Sequence, residues 1–302
     1  MAGKACPEQA AINNQRFTMN KSKLIPILLL GVAAGLMVQA CGQVSGTREK
    51  STDLLQGKLV LTGSSTVAPL ASEIGKRFES AHPEVRVDVQ TGGSSRGIAD
   101  ARKGLANIGM VSRALKPEED DLQSFAIALD GIGLILNRAN PVDAIADAQI
   151  VDIYTGKITN WQQLGGEDAP ITVVNKAEGR STLELFLKYF KRDNTAVRAQ
   201  VIIGDNEQGI KTVAGNPHAI GYVSIGAAEY SVSAGVAIKL LPVGGVVAST
   251  ETVQNGTFPI SRPLNLVTKT TPAGLSQAFI QFAQSQEVTD LVAAQNFVAI
   301  SE

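Results

Sequence analysis

Lys58–Leu70 reads KLVLTGSSTVAPL, and this stretch decides the fold. Lys58–Thr62 is a short apolar run with the makings of a buried strand. Gly63-Ser64-Ser65-Thr66 breaks it. Val67, Leu70, Ala71, Ile74 and Phe78 then recur at helical spacing, which predicts an amphipathic helix ending at His82-Pro83. Strand, hydroxyl-rich turn, helix is the repeating half-unit of an α/β protein with largely parallel sheets.

The same grammar continues downstream. Val85–Val89 (VRVDV) alternates like a strand and ends in Thr91-Gly92-Gly93-Ser94-Ser95, before a helix from about Arg96 to Gly104. Asn107–Val111 is a strand ending in Ser112-Arg113. Lys116-Pro117-Glu118-Glu119 has the proline and acids of a helical first turn. Ile127–Asn137 (IALDGIGLILN) is a buried-type strand closed by Asn140-Pro141. Ile150–Tyr154 lies in a helix and Lys157–Trp161 in a loop. Ile171–Asn175 is a strand, and a helix through Leu183, Phe186, Leu187 and Phe190 follows Lys176–Thr182. Ala219–Ser224, Val236–Pro242 and Pro263–Thr268 complete the strands. The 302 residues suffice for one large unit or two lobes of about 100–150 residues each.

Four of the loops share one design: Gly63–Thr66, Gly92–Ser95, Ser112-Arg113 and Gly179–Thr182. Each follows a strand and precedes a helix, where open α/β sheets hold their ligands. The first N–H groups of a helix lack internal partners and the dipole is positive there. Glycine admits close approach and short hydroxyls add donors, so four such ends would cage a tetrahedral anion. Ser and Thr are also the ordinary N-caps, and any single loop is accounted for by capping. Consecutive hydroxyls beside glycine in the first two loops exceed what one cap requires.

Composition removes other classes. Hydrophobic residues make up 44%, charged residues 18% and the net charge is −1, so nothing suggests a nucleic-acid partner. His82 and His218 are the only histidines, which argues against a His-rich metal site, and neither has the context of a catalytic triad. Gly92–Gly97 (GGSSRG) is not a dinucleotide fingerprint and lacks the lysine of a P-loop. No cofactor is expected.

From Met19 the chain reads MNKSKLIPILLLGVAAGLMVQAC: two lysines, an apolar stretch, then Ala40 before Cys41. This is a secretory signal pattern. A membrane-spanning anchor is the alternative, but Pro26, Gly31 and Gly35 interrupt the run. Val38-Gln39-Ala40-Cys41 resembles the lipobox of bacterial lipoproteins, which implies diacylation of Cys41 and a stable lipid anchor. Met19 is a plausible start, residues 1–41 are then the signal segment, and residues 42–57 read as a polar tether.

Several segments together resemble the phosphate-binding proteins of bacterial high-affinity phosphate ABC importers. They are KLVLTGSSTVAPL (58–70), TGGSSRGI (91–98), IGMVSRALKPEE (108–119), IVDIYTGKITNW (150–161), AIGYVS (219–224) and GTFPISRPL (256–264). The resemblance implies a type II periplasmic binding protein: two α/β lobes joined by two crossing strands, with a ligand cleft between. Lobe one would comprise 58–132 plus 264–302 and lobe two 133–263. It further implies a monomeric, non-enzymatic receptor that hands phosphate to the permease subunits of an ABC importer outside the cytoplasm. Capture of sulfate, molybdate or tungstate, or an extracellular phosphatase or adhesin on the same scaffold, are the competing expectations.

By this likeness Thr66, Val67, Ser94, Ser95 and Ser112 match the family's first three loops. Lys176, Glu178, Arg180, Ser181 and Thr182 occupy its fourth. The chain departs from the common pattern there: Arg180 stands where serine is usual, Ser181 where glycine is, and Lys176 where arginine is. Arg113 takes the place of an aspartate that, in some members, accepts the phosphate proton. Arg113 and Arg180 are the expected cations. Glu178 is either a proton acceptor or a partner for Lys176 or Arg180.

Overall fold

A computed structural model describes residues 55–300. Cys41, the signal segment and most of the tether lie outside the described residues. The strands are β1 (Gly57–Gly63), β2 (Val85–Thr91), β3 (Ile108–Val111), β4 (Gln123–Asn137), β5 (Thr172–Lys176), β6 (Val201–Ile203), β7 (Ala219–Ser224), β8 (Ile238–Leu241) and β9 (Ser261–Thr268). The helices are α1 (Ala68–Ala81), α2 (Ser94–Lys103), α3 (Asp147–Tyr154), α4 (Ser181–Phe190), α5 (Asn206–Ala214), α6 (Ile225–Ser233), α7 (Thr250–Gln254), α8 (Gly274–Ala283) and α9 (Thr289–Ala294).

The hydrogen-bonded order is β2-β1-β3-β9-β4-β7-β5-β6, with β8 also on β4. β2-β1-β3 and β7-β5-β6 are parallel, as the strand–turn–helix grammar requires. The antiparallel pairs all involve β4 or β9. The first half of β4, Gln123–Gly131, pairs with β9, and its second half, from Ile132, pairs with β7 and β8. One long strand thus changes partners midway, and β4 and β9 are the two crossing strands of a two-lobed α/β fold. Each side of the crossing has its own core. Leu61, Ile74, Phe78, Ile108, Leu264 and Phe279 pack on one, and Ile132, Tyr154, Trp161, Phe186 and Tyr222 on the other.

Local differences from the sequence reading have physical causes. The turn at Lys116 is a single 3-10 turn, Pro117–Glu119. Glu119 points inward to Arg113 instead of continuing a helix. α2 starts two residues early, at Ser94, because Gly93 at φ 92° turns the chain directly into it. The helix α5 was not expected, although Asp205 caps it by accepting from the Gln208 N–H at 2.8 Å and Ile210 and Val213 face inward. The GKITNW loop is structural: Trp161 is buried and its indole N–H donates to the His218 carbonyl at 2.9 Å.

Candidate anion-binding site

The N-termini of α1, α2, α4 and α5 are tied into one buried hydrogen-bond network, and its hub is Arg262 of β9. The Arg262 guanidinium sits 2% exposed, with Nε and Nη2 donating to Asp130 Oδ2 of β4 at 3.1 and 2.8 Å. Nη2 also donates to Thr66 Oγ1 at 3.2 Å, and Nη1 to Thr182 Oγ1 at 3.0 Å and Ser112 Oγ at 3.4 Å. One fork on a crossing strand therefore holds hydroxyls from both sides of the crossing. A planar guanidinium with five donors can do this where an ammonium cannot.

The accepting geometry dictates what the hydroxyls can do next. Thr66 Oγ1 accepts from Arg262 and from Asn206 Nδ2, at 3.1 Å, so both its lone pairs are used and its proton must donate elsewhere. Ser112 Oγ accepts from Ser64 Oγ at 2.9 Å and from Arg262, with the same consequence. Ser94 Oγ accepts from the Ser112 N–H at 3.2 Å. Ser181 Oγ, in a residue 2% exposed at the start of α4, has no partner among the described residues. The result is a buried cluster of hydroxyl and helix-terminal donors, which suits an oxyanion.

Lys176, at the end of β5, is the other cation of the network. It is 3% exposed, and Nζ donates to Asn206 Oδ1 at 3.0 Å. Burial pushes its ammonium down to about 7; the charges of Arg262 and Arg180 add to the fall and Asp205 opposes it. It makes no ion pair within 4 Å among the described residues. Asp130 neutralises Arg262, whereas neither Lys176 nor Arg180 has a carboxylate within 4 Å among the described residues, and Arg180 Nε is buried without a hydrogen-bond partner.

The remaining expected residues are placed as follows. The Val67 N–H lies 3.4 Å from Ser64 Oγ. Ser95 is exposed, and its N–H donates to the Gly179 carbonyl across the two sides of the crossing at 3.2 Å. Arg113 is held away from the network. Its Nη atoms grip Glu119 at 2.7 and 2.8 Å and its Nε lies 3.1 Å from Glu184. Arg180 is half-buried against Gly93 and Gly204 and donates to none of the network hydroxyls. Glu178 is exposed and accepts from Asn194 Nδ2 at 3.2 Å, so it partners neither Lys176 nor Arg180.

Arg262, Asp130 and Asn206 escaped the sequence reading, and Ser64 entered it only as part of the Gly63–Thr66 loop. The signal for the first two was present. Asp130 is the lone charge within IALDGIGLILN and Arg262 the lone charge within GTFPISRPL, both buried-type segments. Two opposite charges on adjacent buried strands must find each other.

The profile of the PBP superfamily domain matches residues 47–287. The chain belongs to the PBP superfamily. Among solved structures, a Clostridium perfringens chain described as a phosphate ABC transporter substrate-binding protein with bound phosphate is 35% identical. It has a TM-score of 0.74, and the alignment covers 81% of this chain and 100% of that one. An ABC-type phosphate transport receptor from Vibrio cholerae is 28% identical with a TM-score of 0.63, over 81% of this chain and 100% of its own. The curated phosphate-binding protein PstS of Bacillus subtilis is 28% identical over 297 residues, spanning 94% of this chain and 96% of that protein. With the crossing strands β4 and β9, this membership makes the fold that of a type II periplasmic binding protein. Among the described residues no helix is long and apolar enough to cross a membrane.

Proposed function

We propose that the protein is an extracytoplasmic receptor that binds inorganic phosphate and delivers it to an ABC-type importer. The observation that carries this reading is the buried cluster of loop hydroxyls gathered around Arg262, which suits an oxyanion. Thr66 and Ser112 are committed as donors by what they already accept, Ser181 is free to join them, and Arg262 and Lys176 supply charge. Such donors replace the water hydrogen bonds of an oxyanion in a buried site. The phosphate-binding relatives support it. Lobe one is assigned to residues 58–132 plus 264–302 and lobe two to 133–263, with Thr66, Ser94 and Ser112 facing Lys176, Ser181 and Thr182 across the cleft.

Titration calorimetry at pH 8 with phosphate, arsenate, sulfate, molybdate and tungstate tests the substrate. Phosphate is expected to saturate one site per chain. Tighter binding of molybdate or tungstate than of phosphate would sink the assignment. Neither histidine joins the network, so no turnover of a phosphate monoester is expected.

Anchoring through Cys41 is the second part of the reading, carried by the Val38–Cys41 pattern. In cells fed labelled palmitate, the parent chain should take up label and Cys41→Ser should not. Label that persists in Cys41→Ser contradicts lipidation at that residue.

A further inference from the structure

A receptor for phosphate has to reject sulfate, which has the same shape and differs in carrying no proton. A carboxylate in the site would serve, because it accepts a hydrogen bond from the phosphate hydroxyl and repels sulfate. Among the described residues no carboxylate oxygen is hydrogen-bonded to Thr66, Ser94, Ser112, Ser181 or Thr182, and Asp205 caps α5 through Oδ1. Asp130 accepts twice from Arg262 through Oδ2 and from the Gly226 N–H through Oδ1 at 3.2 Å. Glu119 and Glu184 are bound to Arg113, with Lys116 on Glu184 as well. Glu178 is exposed on Asn194. The hydroxyls of Thr66 and Ser112 are committed as donors, and that of Ser181 can swivel to serve either ion equally.

Nζ of Lys176 is the one remaining atom in the network that changes from donor to acceptor by losing a proton. It lies one amide away from Thr66, through Asn206. The groups around it keep the ammonium from being held. Arg262 on β9 and Arg180 before α4 repel it, and only Asp205 at the start of α5 attracts it. Tyr222 of β7 accepts from the Lys176 main-chain N–H at 3.4 Å, and burial holds its phenol neutral. β6 contributes only Val201, Ile202 and Ile203.

We propose that Lys176 is the specificity-determining residue of this site, sharing the single proton of hydrogen phosphate, so that phosphate enters without net proton uptake whereas sulfate enters only together with a proton from solvent. With phosphate, the proton lies between a phosphate oxygen and Nζ, whichever group brought it. With sulfate, a neutral amine would set its lone pair against an anionic oxygen, so the amine must first be charged. This rests on the phosphate reading above.

Affinity for sulfate should therefore fall about tenfold for each pH unit above 7, the slope of one linked proton. Affinity for phosphate should stay within about threefold from pH 7.5 to 9. The test is titration calorimetry of the full chain with sodium phosphate and sodium sulfate at pH 6, 7, 8 and 9. Each is run in two buffers of different ionisation enthalpy to count protons. At pH 8.5, sulfate should take up about one proton per ion and phosphate none. Lys176→Arg keeps a permanent charge, so its sulfate affinity should not vary between pH 7 and 9 and its selectivity should collapse. Should that variant fail to fold, the proton counts of the parent chain still decide. A flat sulfate affinity from pH 7 to 9, or no sulfate binding at pH 6, overturns the role of Lys176 while leaving phosphate binding intact. Absence of phosphate binding in every buffer overturns the phosphate reading itself, and this one with it.

Discussion

Arg262→Met should abolish phosphate binding, with a loss of more than 100-fold, and should lower folding stability by about 3–5 kcal/mol. The two effects have separate causes. Binding fails because the Thr66, Thr182 and Ser112 hydroxyls lose the donor that orients them, and because hydrogen bonds to a charged group are each worth about 1.5–3 kcal/mol. Stability fails because Asp130, whose side chain is 1% exposed, is left as an unpaired buried charge. The double variant Arg262→Met with Asp130→Leu separates them. Replacing both partners removes the unpaired charge, so thermal stability should return toward that of the parent while phosphate binding stays lost. Arg113→Met is the comparison. It should lower the melting temperature, since Glu119 and Glu184 lose their partner, yet bind phosphate within a few-fold of the parent. Calorimetric titration and thermal denaturation of the three variants and the parent measure all of this. Normal binding by Arg262→Met, or lost binding by Arg113→Met in a folded chain, would show that the hub is misplaced.

The second large effect is expected at Gly93. A Cβ there would sit 2.6 Å from the Gly179 carbonyl oxygen and 2.8 Å from Arg180 Cδ, both across the crossing strands. The backbone is at φ 92° and ψ 160°, a region essentially reserved for glycine and costing other residues about 1–3 kcal/mol. The added methyl group must displace the Gly179 carbonyl, which accepts from the Ser95 N–H. Gly93→Ala should thus keep both cores but hold the two sides apart. Phosphate affinity should drop about 30-fold, equivalent to roughly 2 kcal/mol. Far-ultraviolet circular dichroism should be unchanged, and any compaction on adding phosphate, followed by small-angle scattering, should be lost. Affinity within about threefold of the parent would count against the contact.

The fold was legible because its signals are local. KLVLTGSSTVAPL contains a strand, its turn and the buried face of a helix within thirteen residues, and the other parallel units repeat that order. Ser94, Ser181 and Thr182 were legible as candidates for the same reason, since a helix start is written in the chain at the point where it occurs, and Ser112 by its place at the end of a strand. Arginines were not legible in that way. Arg113 sits directly after a hydroxyl-rich turn, yet its partner is Glu119, six residues on, and the pairing turns it aside. Arg262 lies 132 residues from Asp130 and 196 from Thr66, and it reaches the network only because β9 runs antiparallel to β4 across the crossing. A long flexible cation takes its role from which carboxylate is nearest in space. The sequence by itself determined where the helix ends with their donors lie. Only the tertiary structure decided which cation they surround and which lysine is left without a counter-charge, because both depend on strand pairings between residues far apart in the chain.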